Sequence, residues 1–483
     1  MEASTKAAVG SRVRAAEQFS RWKIVGTILG PTVAVALWFA PITNEAAAHH
    51  AIAIIAFMIV YWIFEPIDYG ITALAGCYLF WALHVVSFAT AFSGFADSTP
   101  WYMFGAMLLG EAVVRSGLGL RLGYIVIRVI GVSYSKLLLS IIVLVVLLNF
   151  LVPSGMAQIV IVAPMIIGIV AAFGLQPLSN VGRGLFIVLT YACGLFNKMI
   201  LSGGASILTV GIIHHLPGTT VYWGQFLMAY MPAVVVSVFA CWRLILWLYP
   251  PEKTELPDGR AHVQSALAEM GPWTLDEKKT IFWLCMAVGL WATDKLHHVR
   301  PEVIALGIGL ALAFPKVGVL RARAIREINF LLIVFLGGVL SMGEVMLHTK
   351  VLDLFSGAAL LPGVVTLFRS PFIGTNVLYW GGVVYHFVLA SEFSMLSTSL
   401  PIVIRFAQAH GYNPVAIAMV WSFAGGGKLF VYQSSVLMLG YSYGYFKARD
   451  LLRVGFYLTV VEGVIMAFLV PFYWPLIGLH WLQ

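Results

Sequence analysis

Long apolar stretches recur along this sequence, and they constrain its fold more than any other feature. Runs close to the roughly 20 residues that an α-helix needs to cross a bilayer occur at 24–42, 69–92, 222–249, 278–293 and 452–478. Only 10% of the residues are charged, against about 25% in an ordinary soluble domain. A single water-soluble core cannot bury this much apolar surface. The sequence therefore predicts an all-α, polytopic membrane protein.

The positive charges predict how the chain is oriented in the membrane. Lys and Arg cluster in residues 1–23 and in three short connections, 115–136, 316–326 and 447–453. The positive-inside rule makes residues 1–23 a cytoplasmic tail. The closing stretch WPLIGLHWLQ has neither Lys nor Arg, which places the C-terminus outside and predicts an odd number of spans. The net charge of +8 thus reflects the topology of the chain and does not indicate a nucleic-acid partner. We expect the protein to lie in a bacterial inner membrane.

A polar segment divides the chain into two membrane halves. Residues 249–279 contain Pro, Gly and mixed charges, which predicts a linker between a first repeat at 24–248 and a second at 280–483. The two halves share Ser, Pro and Gly residues at one fixed offset of 237 positions. Ser154, Pro164, Gly174 and Pro177 recur as Ser391, Pro401, Gly411 and Pro414. This duplication is typical of secondary transporters.

Each half contains an apolar segment that is interrupted near its centre. As a helix, residues 137–152 would extend only about 24 Å, short of a hydrocarbon core about 30 Å thick, before the chain reverses at Pro153. We predict a re-entrant hairpin over 137–174 and its counterpart over 371–410. Such backbone breaks are tolerated only against protein or a water-filled cavity, so the two hairpin tips should lie in the interior.

A helix with a glycine-rich break follows each hairpin. The first, predicted over 183–214, contains SGGAS, and the second, over 414–445, contains GGGK and then QSS. Half-helix N-termini at such breaks expose backbone N–H groups and the positive end of the helix dipole, which favour an anion. No zinc or serine-nucleophile motif occurs in the sequence, so we do not expect an enzyme.

Several stretches resemble the divalent anion/sodium symporter family of di- and tricarboxylate carriers. They include YWIFEPIDYGITALAG, SGFADSTPWYMFGAMLLGEAVVRSGL, INFLLIVFLGGVLSMG and DLLRVGFYLTVVEGVIMAFLVPFYWPLIG. The resemblance implies about 11 transmembrane helices plus two re-entrant hairpins in two inverted repeats. It also implies a homodimer, an elevator mechanism and transport of a small organic anion.

The expected site is where the sequence departs from this family. Members carry Ser-Asn-Thr at each hairpin tip, where it holds sodium and contacts a substrate carboxylate, and Thr-Pro in the broken helices. The tips here read Ser154-Gly155-Met156 and Ser391-Glu392-Phe393, and the helix breaks offer Ser206, Ser434 and Ser435. By position, the resemblance makes all of these candidate substrate-binding residues.

Two lysines stand at matching places in the repeats and complete the candidate site. Lys198 stands before the first helix break, and Lys428 stands before the second, directly after GGG. A tethered ammonium can neutralise an anion without sodium, and we expect Lys428 to pair with Glu392 when the carrier is empty. Protonation of Glu392 would then couple transport to protons. The alternatives are a permanently paired structural acid, with lysines that extend to an interface, and a residual sodium site at Ser391 and Glu392.

The leading interpretation is a secondary transporter of a carboxylate-type organic anion, driven by protons or by exchange, without a cofactor. A sodium-coupled carrier of di- or tricarboxylates or sulfate is the first alternative. An anion channel is the second, although paired interruptions suggest an enclosed midplane site rather than a continuous pore. Met156 and Phe393 offer apolar contacts, which favour an organic anion over sulfate.

Overall fold

The computed structural model describes residues 2–150, 152, 154–216, 221–255, 259–358, 362–389 and 391–482. Within these ranges the chain is helical and contains no strand beyond isolated bridges. The prediction of an all-α protein is therefore confirmed.

The helices of the first part of the chain are α1 (Glu2–Phe39), α2 (Ala46–Phe64), α3 (Tyr69–Ala82), α4 (Phe88–Ala91), α5 (Ser98–Ser116), α6 (Leu118–Ile130), α7 (Tyr134–Asn149), α8 (Gly155–Ala172), α9 (Asn180–Leu195), α10 (Gly204–His214), α11 (Trp223–Leu248) and α12 (Gly259–Glu269). Those of the second part are α13 (Leu275–Ala292), α14 (Asp294–His297), α15 (Pro301–Ala313), α16 (Ala322–Arg326), α17 (Phe330–His348), α18 (Val351–Ala358), α19 (Pro362–Phe368), α20 (Pro371–His386), α21 (Glu392–Ala409), α22 (Pro414–Ala424), α23 (Ser435–Ser442) and α24 (Ala448–Phe468). Short 3₁₀ turns lie at Ser93–Phe95, Phe196–Lys198, Val431–Gln433 and Trp474–Ile477, and a π turn lies at Leu469–Tyr473.

Six helices within the described residues are long and apolar enough to cross a membrane: Arg21–Phe39, Ala46–Phe64, Gly155–Ala172, Trp223–Leu248, Phe330–His348 and Ala448–Ile477. Five shorter apolar helices accompany them: Tyr69–Ala82, Tyr134–Asn149, Gly204–His214, Pro301–Ala313 and Pro414–Ala424. These helices agree with a multi-pass membrane protein. The number of 11 spans stays a prediction.

The chain forms two compact units, and the first contains residues 1–97, 330–359 and 388–390. In this unit α17 packs closely on α3, because Gly338 faces Ala73 with no room for a Cβ. The hydroxyl of Ser341 accepts a hydrogen bond from the Gly94 backbone N–H at 2.9 Å. Small residues thus bring these helices into contact, as is usual in membrane proteins.

The second unit contains residues 98–329, 360–387 and 391–483. It includes the first hairpin segment, both helices of the second and both broken helices, and every predicted site residue belongs to this unit. Helices α5 and α15 approach so closely within this unit that a Cβ on Gly309 would lie 2.8 Å from the Gly105 carbonyl oxygen.

The linker is anchored to this second unit by a buried ion pair. Thr274 and Glu277 form a capping box at the start of α13, and Arg121 Nε lies 2.5 Å from Glu277 Oε1. Burial disfavours the charged form of Glu277. Hydrogen bonds from Arg121 and Thr274, together with the Arg121 charge, outweigh that effect and hold the pKa of the carboxyl below its ordinary value.

The two hairpin segments are each a pair of helices joined by a short connection. In the first, α7 ends at Asn149 and α8 begins after Ser154; the predicted reversal at Pro153 lies outside the described residues. Gln158 Nε2 donates to Asn149 Oδ1 at 3.0 Å and to the Val152 carbonyl at 2.7 Å. The Gln158 amide thus provides a hydrogen-bond donor for the Asn149 side chain and for the Val152 carbonyl oxygen at the connection. A chain reversal away from water requires such partners.

Candidate functional site

The first helix break, between α9 and α10, is closed by its own side chains. Asn197 Oδ1 accepts a hydrogen bond from the Gly204 backbone N–H at 3.0 Å, at the start of α10. Ser206 Oγ donates to the Lys198 carbonyl oxygen at 3.0 Å. Both hydrogen bonds satisfy backbone groups that the break would otherwise leave without a partner.

The second helix break, between α22 and α23, depends on a glutamine. Gln433 Oε1 accepts hydrogen bonds from the backbone N–H groups of Leu429 and Phe430, both at 2.7 Å. Ser434 is the N-cap of α23, and Ser435 beside it is exposed. The Gln433 amide thus stabilises a loop that begins directly after Lys428.

Two buried ion pairs lie beside these breaks. Lys428 Nζ is 2.7 Å from Glu392 Oε2, and Lys198 Nζ is 2.8 Å from Glu462 Oε2. Lys198 also donates to the Phe423 carbonyl oxygen at 3.0 Å and lies over the Phe423 ring. The Lys198 and Glu462 side chains are only 1% and 2% exposed, whereas those of Lys428 and Glu392 are 6% and 10% exposed.

The two ion pairs meet at the glycine run of the second break. A Cβ on Gly426 would overlap the end of the Lys198 side chain, and one on Gly425 would lie 3.1 Å from Glu392 Cγ. Glycine is therefore required at position 426 for close approach, and position 425 leaves little room for a larger residue. With both pairs ionised, the cluster of two ammonium groups and two carboxylates has no net charge.

Each carboxylate of this cluster uses only one of its oxygens in its ion pair. Glu392 Oε1, a buried atom of the described residues, has no hydrogen-bond partner. The His386 ring interacts electrostatically with Lys428 and Glu392. Unsatisfied buried polar groups are costly, so the cluster has unused capacity to bind a proton or a polar ligand.

The predicted site residues outside the ion pairs divide into helix caps and packing groups. Ser154 accepts from the Ala157 N–H at 3.3 Å and Ser391 from the Phe393 N–H at 3.2 Å, each as the N-cap of its helix. Gly155 is buried with no room for a Cβ beside the Cys193 carbonyl. Met156, by contrast, is 36% exposed.

Phe393 is placed where it fills the first break. A Cβ on Gly204 would lie 2.9 Å from the tip of the Phe393 ring. The ring therefore lies against the N-terminus of α10, which the sequence predicted as an anion-binding position.

Sequence analysis missed two members of the cluster, Glu462 and His386. Glu462 lies in the apolar run of α24, and an ionisable residue in such a run is itself a signal of function or pairing. His386 ends α20 and is completely buried. Its isolated position in the sequence gave no comparable signal.

Replacing Gly426 with alanine is expected to disrupt the cluster, because the new methyl group would occupy the position of the buried Lys198 ammonium. We expect a clear fall in the temperature of unfolding in detergent, measured by fluorescence-detected size exclusion. Gly168→Ala is the matched control: a Cβ there meets nothing within 4 Å, and alanine favours the helix by up to about 1 kcal/mol. Equal behaviour of the two variants would contradict the packing argument.

Comparison with known proteins agrees with the resemblance seen in the sequence. The family model described as the sodium:sulfate symporter transmembrane region matches residues 20–480. Dicarboxylate transporter 1, chloroplastic, of Spinacia oleracea is 25% identical over 463 residues, covering 92% of this chain and 80% of the relative. The citrate/succinate antiporter of Escherichia coli (strain K12) is 24% identical over 403 residues, covering 80% of each protein.

A solved membrane transporter shares the fold. The structure of MtrF from Neisseria gonorrhoeae, described as illuminating a class of antimetabolite efflux pumps, matches with a TM-score of 0.54 and 12% sequence identity. The match covers 90% of this chain and 96% of MtrF.

Proposed function

Because the chain belongs to the sodium:sulfate symporter family, we propose that it is a secondary transporter of a carboxylate-type organic anion, driven by protons or by exchange. The names of its relatives, a dicarboxylate transporter and a citrate/succinate antiporter, support an organic anion as the substrate. The protein would carry this anion across the membrane unchanged, without acting as an enzyme.

The observation that carries the proposal is the Lys428–Glu392 pair. Its lysine is a fixed positive charge at a helix break, 2.7 Å from a carboxylate that a substrate carboxylate would replace. Sodium prefers a compact cage of oxygen ligands, and the tip positions Gly155, Met156 and Phe393 supply no side-chain oxygen. A tethered ammonium performs the electrostatic role that a coupling cation would otherwise perform.

Proton coupling follows from the charge balance of this pair. If Glu392 takes up a proton, Lys428 becomes available to a substrate carboxylate and the cluster keeps its net charge when both have bound. The charged or titratable groups around Glu392 are Lys428, Lys198, His386 and, through Lys198, Glu462. Where no proton accompanies the anion, we propose that the carrier exchanges one anion for another, with Lys428 pairing in turn with each substrate carboxylate.

The family resemblance also suggests a membrane topology, an oligomeric state and a transport motion. We propose 11 membrane spans with two re-entrant hairpins, a homodimer, and a transport domain that moves as an elevator, in a bacterial inner membrane with the N-terminus in the cytoplasm. The six long apolar helices and the bacterial relative support the coarser part of this arrangement, a multi-pass protein of a bacterial membrane.

Uptake into proteoliposomes tests the proposed function. Radiolabelled carboxylates are supplied with a sodium gradient, a proton gradient or internal unlabelled anion, each imposed alone. We expect uptake with the proton gradient or with internal anion when both solutions lack sodium. An absolute requirement for sodium would contradict the tethered-cation mechanism and favour classical sodium symport. Passive flux that never accumulates substrate would favour a channel.

Replacing Glu392 with glutamine separates the two modes of coupling. Glutamine cannot exchange a proton, so the variant should lose the acceleration of uptake by an inward proton gradient while exchange of internal for external anion persists. Initial rates at several external pH values measure the effect. Glu269→Gln, at an exposed position, is the control and should behave like the unaltered protein. Proton-driven uptake that survives in the Glu392 variant would exclude Glu392 as the proton carrier.

A further inference from the structure

We propose that this site accepts one carboxylate group per substrate, so that it selects monocarboxylates over dicarboxylates of equal length. The inference rests on the proposed function, and it departs from what the names of the relatives would suggest. It follows from a difference between the two halves of the cluster.

The two lysines are not equivalent. Lys198 contacts the Glu462 carboxylate, the Phe423 carbonyl oxygen and the face of the Phe423 ring, and its side chain is 1% exposed. Lys428 has the Glu392 carboxylate as its ion-pair partner, and that pair is the more accessible one. Releasing Lys198 would break three contacts and leave Glu462 buried without its partner, which is strongly unfavourable. Lys428 exchanges partners at lower cost, because it breaks one ion pair and protonation of Glu392 removes the charge that would be left behind.

The first helix break is already occupied by the protein itself. The leading N–H of α10, on Gly204, donates to Asn197 Oδ1, and the Phe393 ring lies against the same glycine. The hydroxyl of Ser206 is turned back to the Lys198 carbonyl. At this break a second carboxylate of a substrate would therefore meet the Phe393 ring and a leading N–H group that Asn197 already uses.

The second half of the cluster has the opposite character. Glu392 Oε1 is buried and has no hydrogen-bond partner, and the buried His386 ring interacts electrostatically with Lys428 and Glu392. When Glu392 is protonated, the four charged groups of the cluster sum to one positive charge. That charge matches one carboxylate, whereas a second negative charge would remain buried and uncompensated.

The test compares acids of equal carbon number on the full-length protein in lipid nanodiscs. Butyrate is paired with succinate, and benzoate with phthalate, and affinity is measured by the shift in thermal unfolding and by competition for uptake. We expect at least one monocarboxylate to bind tenfold or more tightly than its dicarboxylate partner. If in both pairs the dicarboxylate binds as tightly as its partner, or more tightly, the inference is overturned but the proposed function stands. No interaction with any of the four acids overturns both.

A variant tests the role of the first break directly. Phe393→Thr removes the ring beside Gly204 and supplies a hydroxyl, so we expect the preference for butyrate over succinate to fall at least threefold. Phe282→Thr, at a residue that is 60% exposed, is the control and should leave the ratio unchanged. An unaltered ratio in Phe393→Thr would overturn the assignment of this break as the excluded position.

Discussion

Replacing Lys428 with methionine is expected to abolish carboxylate uptake. Methionine keeps most of the apolar volume of the side chain but removes the ammonium that pairs with Glu392 and, in our proposal, with the substrate. The loss of one member of a buried charge pair costs about 2–5 kcal/mol, which is roughly 30-fold to several thousand-fold in affinity. Uptake at a subsaturating concentration of substrate measures the effect.

Two controls separate binding from folding in this experiment. Lys278→Met, at an exposed position, should leave uptake close to that of the unaltered protein. The double variant Lys428→Met with Glu392→Gln removes the unpaired buried charge, so it should recover thermal stability without recovering uptake. Comparable uptake by the Lys428 and Lys278 single variants would show that Lys428 is only part of the scaffold.

Replacing Lys198 with methionine is expected to destabilise the protein more than any other single change in the cluster. Glu462, 2% exposed at its side chain, would lose its partner, and breaking a buried ion pair in this way costs about 3–5 kcal/mol. The free energy of unfolding in mixed micelles, followed by tryptophan fluorescence during titration with a denaturing detergent, measures the change.

The compensating double variant distinguishes a structural pair from a binding residue. Lys198→Met with Glu462→Leu replaces the pair by apolar groups, which is often neutral for stability, and we expect most of the lost free energy to return. Because our inference assigns substrate recognition to Lys428, this double variant should also retain monocarboxylate uptake. A stable but inactive double variant would instead identify Lys198 as a substrate ligand.

The candidate site was only partly predictable from the sequence. The repeat identified Lys198, Lys428 and Glu392, because an ionisable residue in an apolar run is conspicuous wherever it lies. The roles of the hydroxyl groups were less predictable. Ser391 accepts from a backbone N–H at the second hairpin tip, and Ser206 donates to a backbone carbonyl at the first helix break. Whether a hydroxyl turns toward its own backbone depends on local geometry that residue type does not specify.

The sequence by itself determined the all-helical, membrane-spanning character of this protein. Hydropathy and the lengths of apolar runs are local properties, and they decide whether a segment can span the hydrocarbon core of a bilayer. Only the tertiary structure decided which charges neutralise each other. Lys198 and Glu462 are 264 positions apart, and they meet because Gly426 leaves space for the ammonium. Ion pairing depends on distances between side chains, and packing sets those distances after the helices have formed.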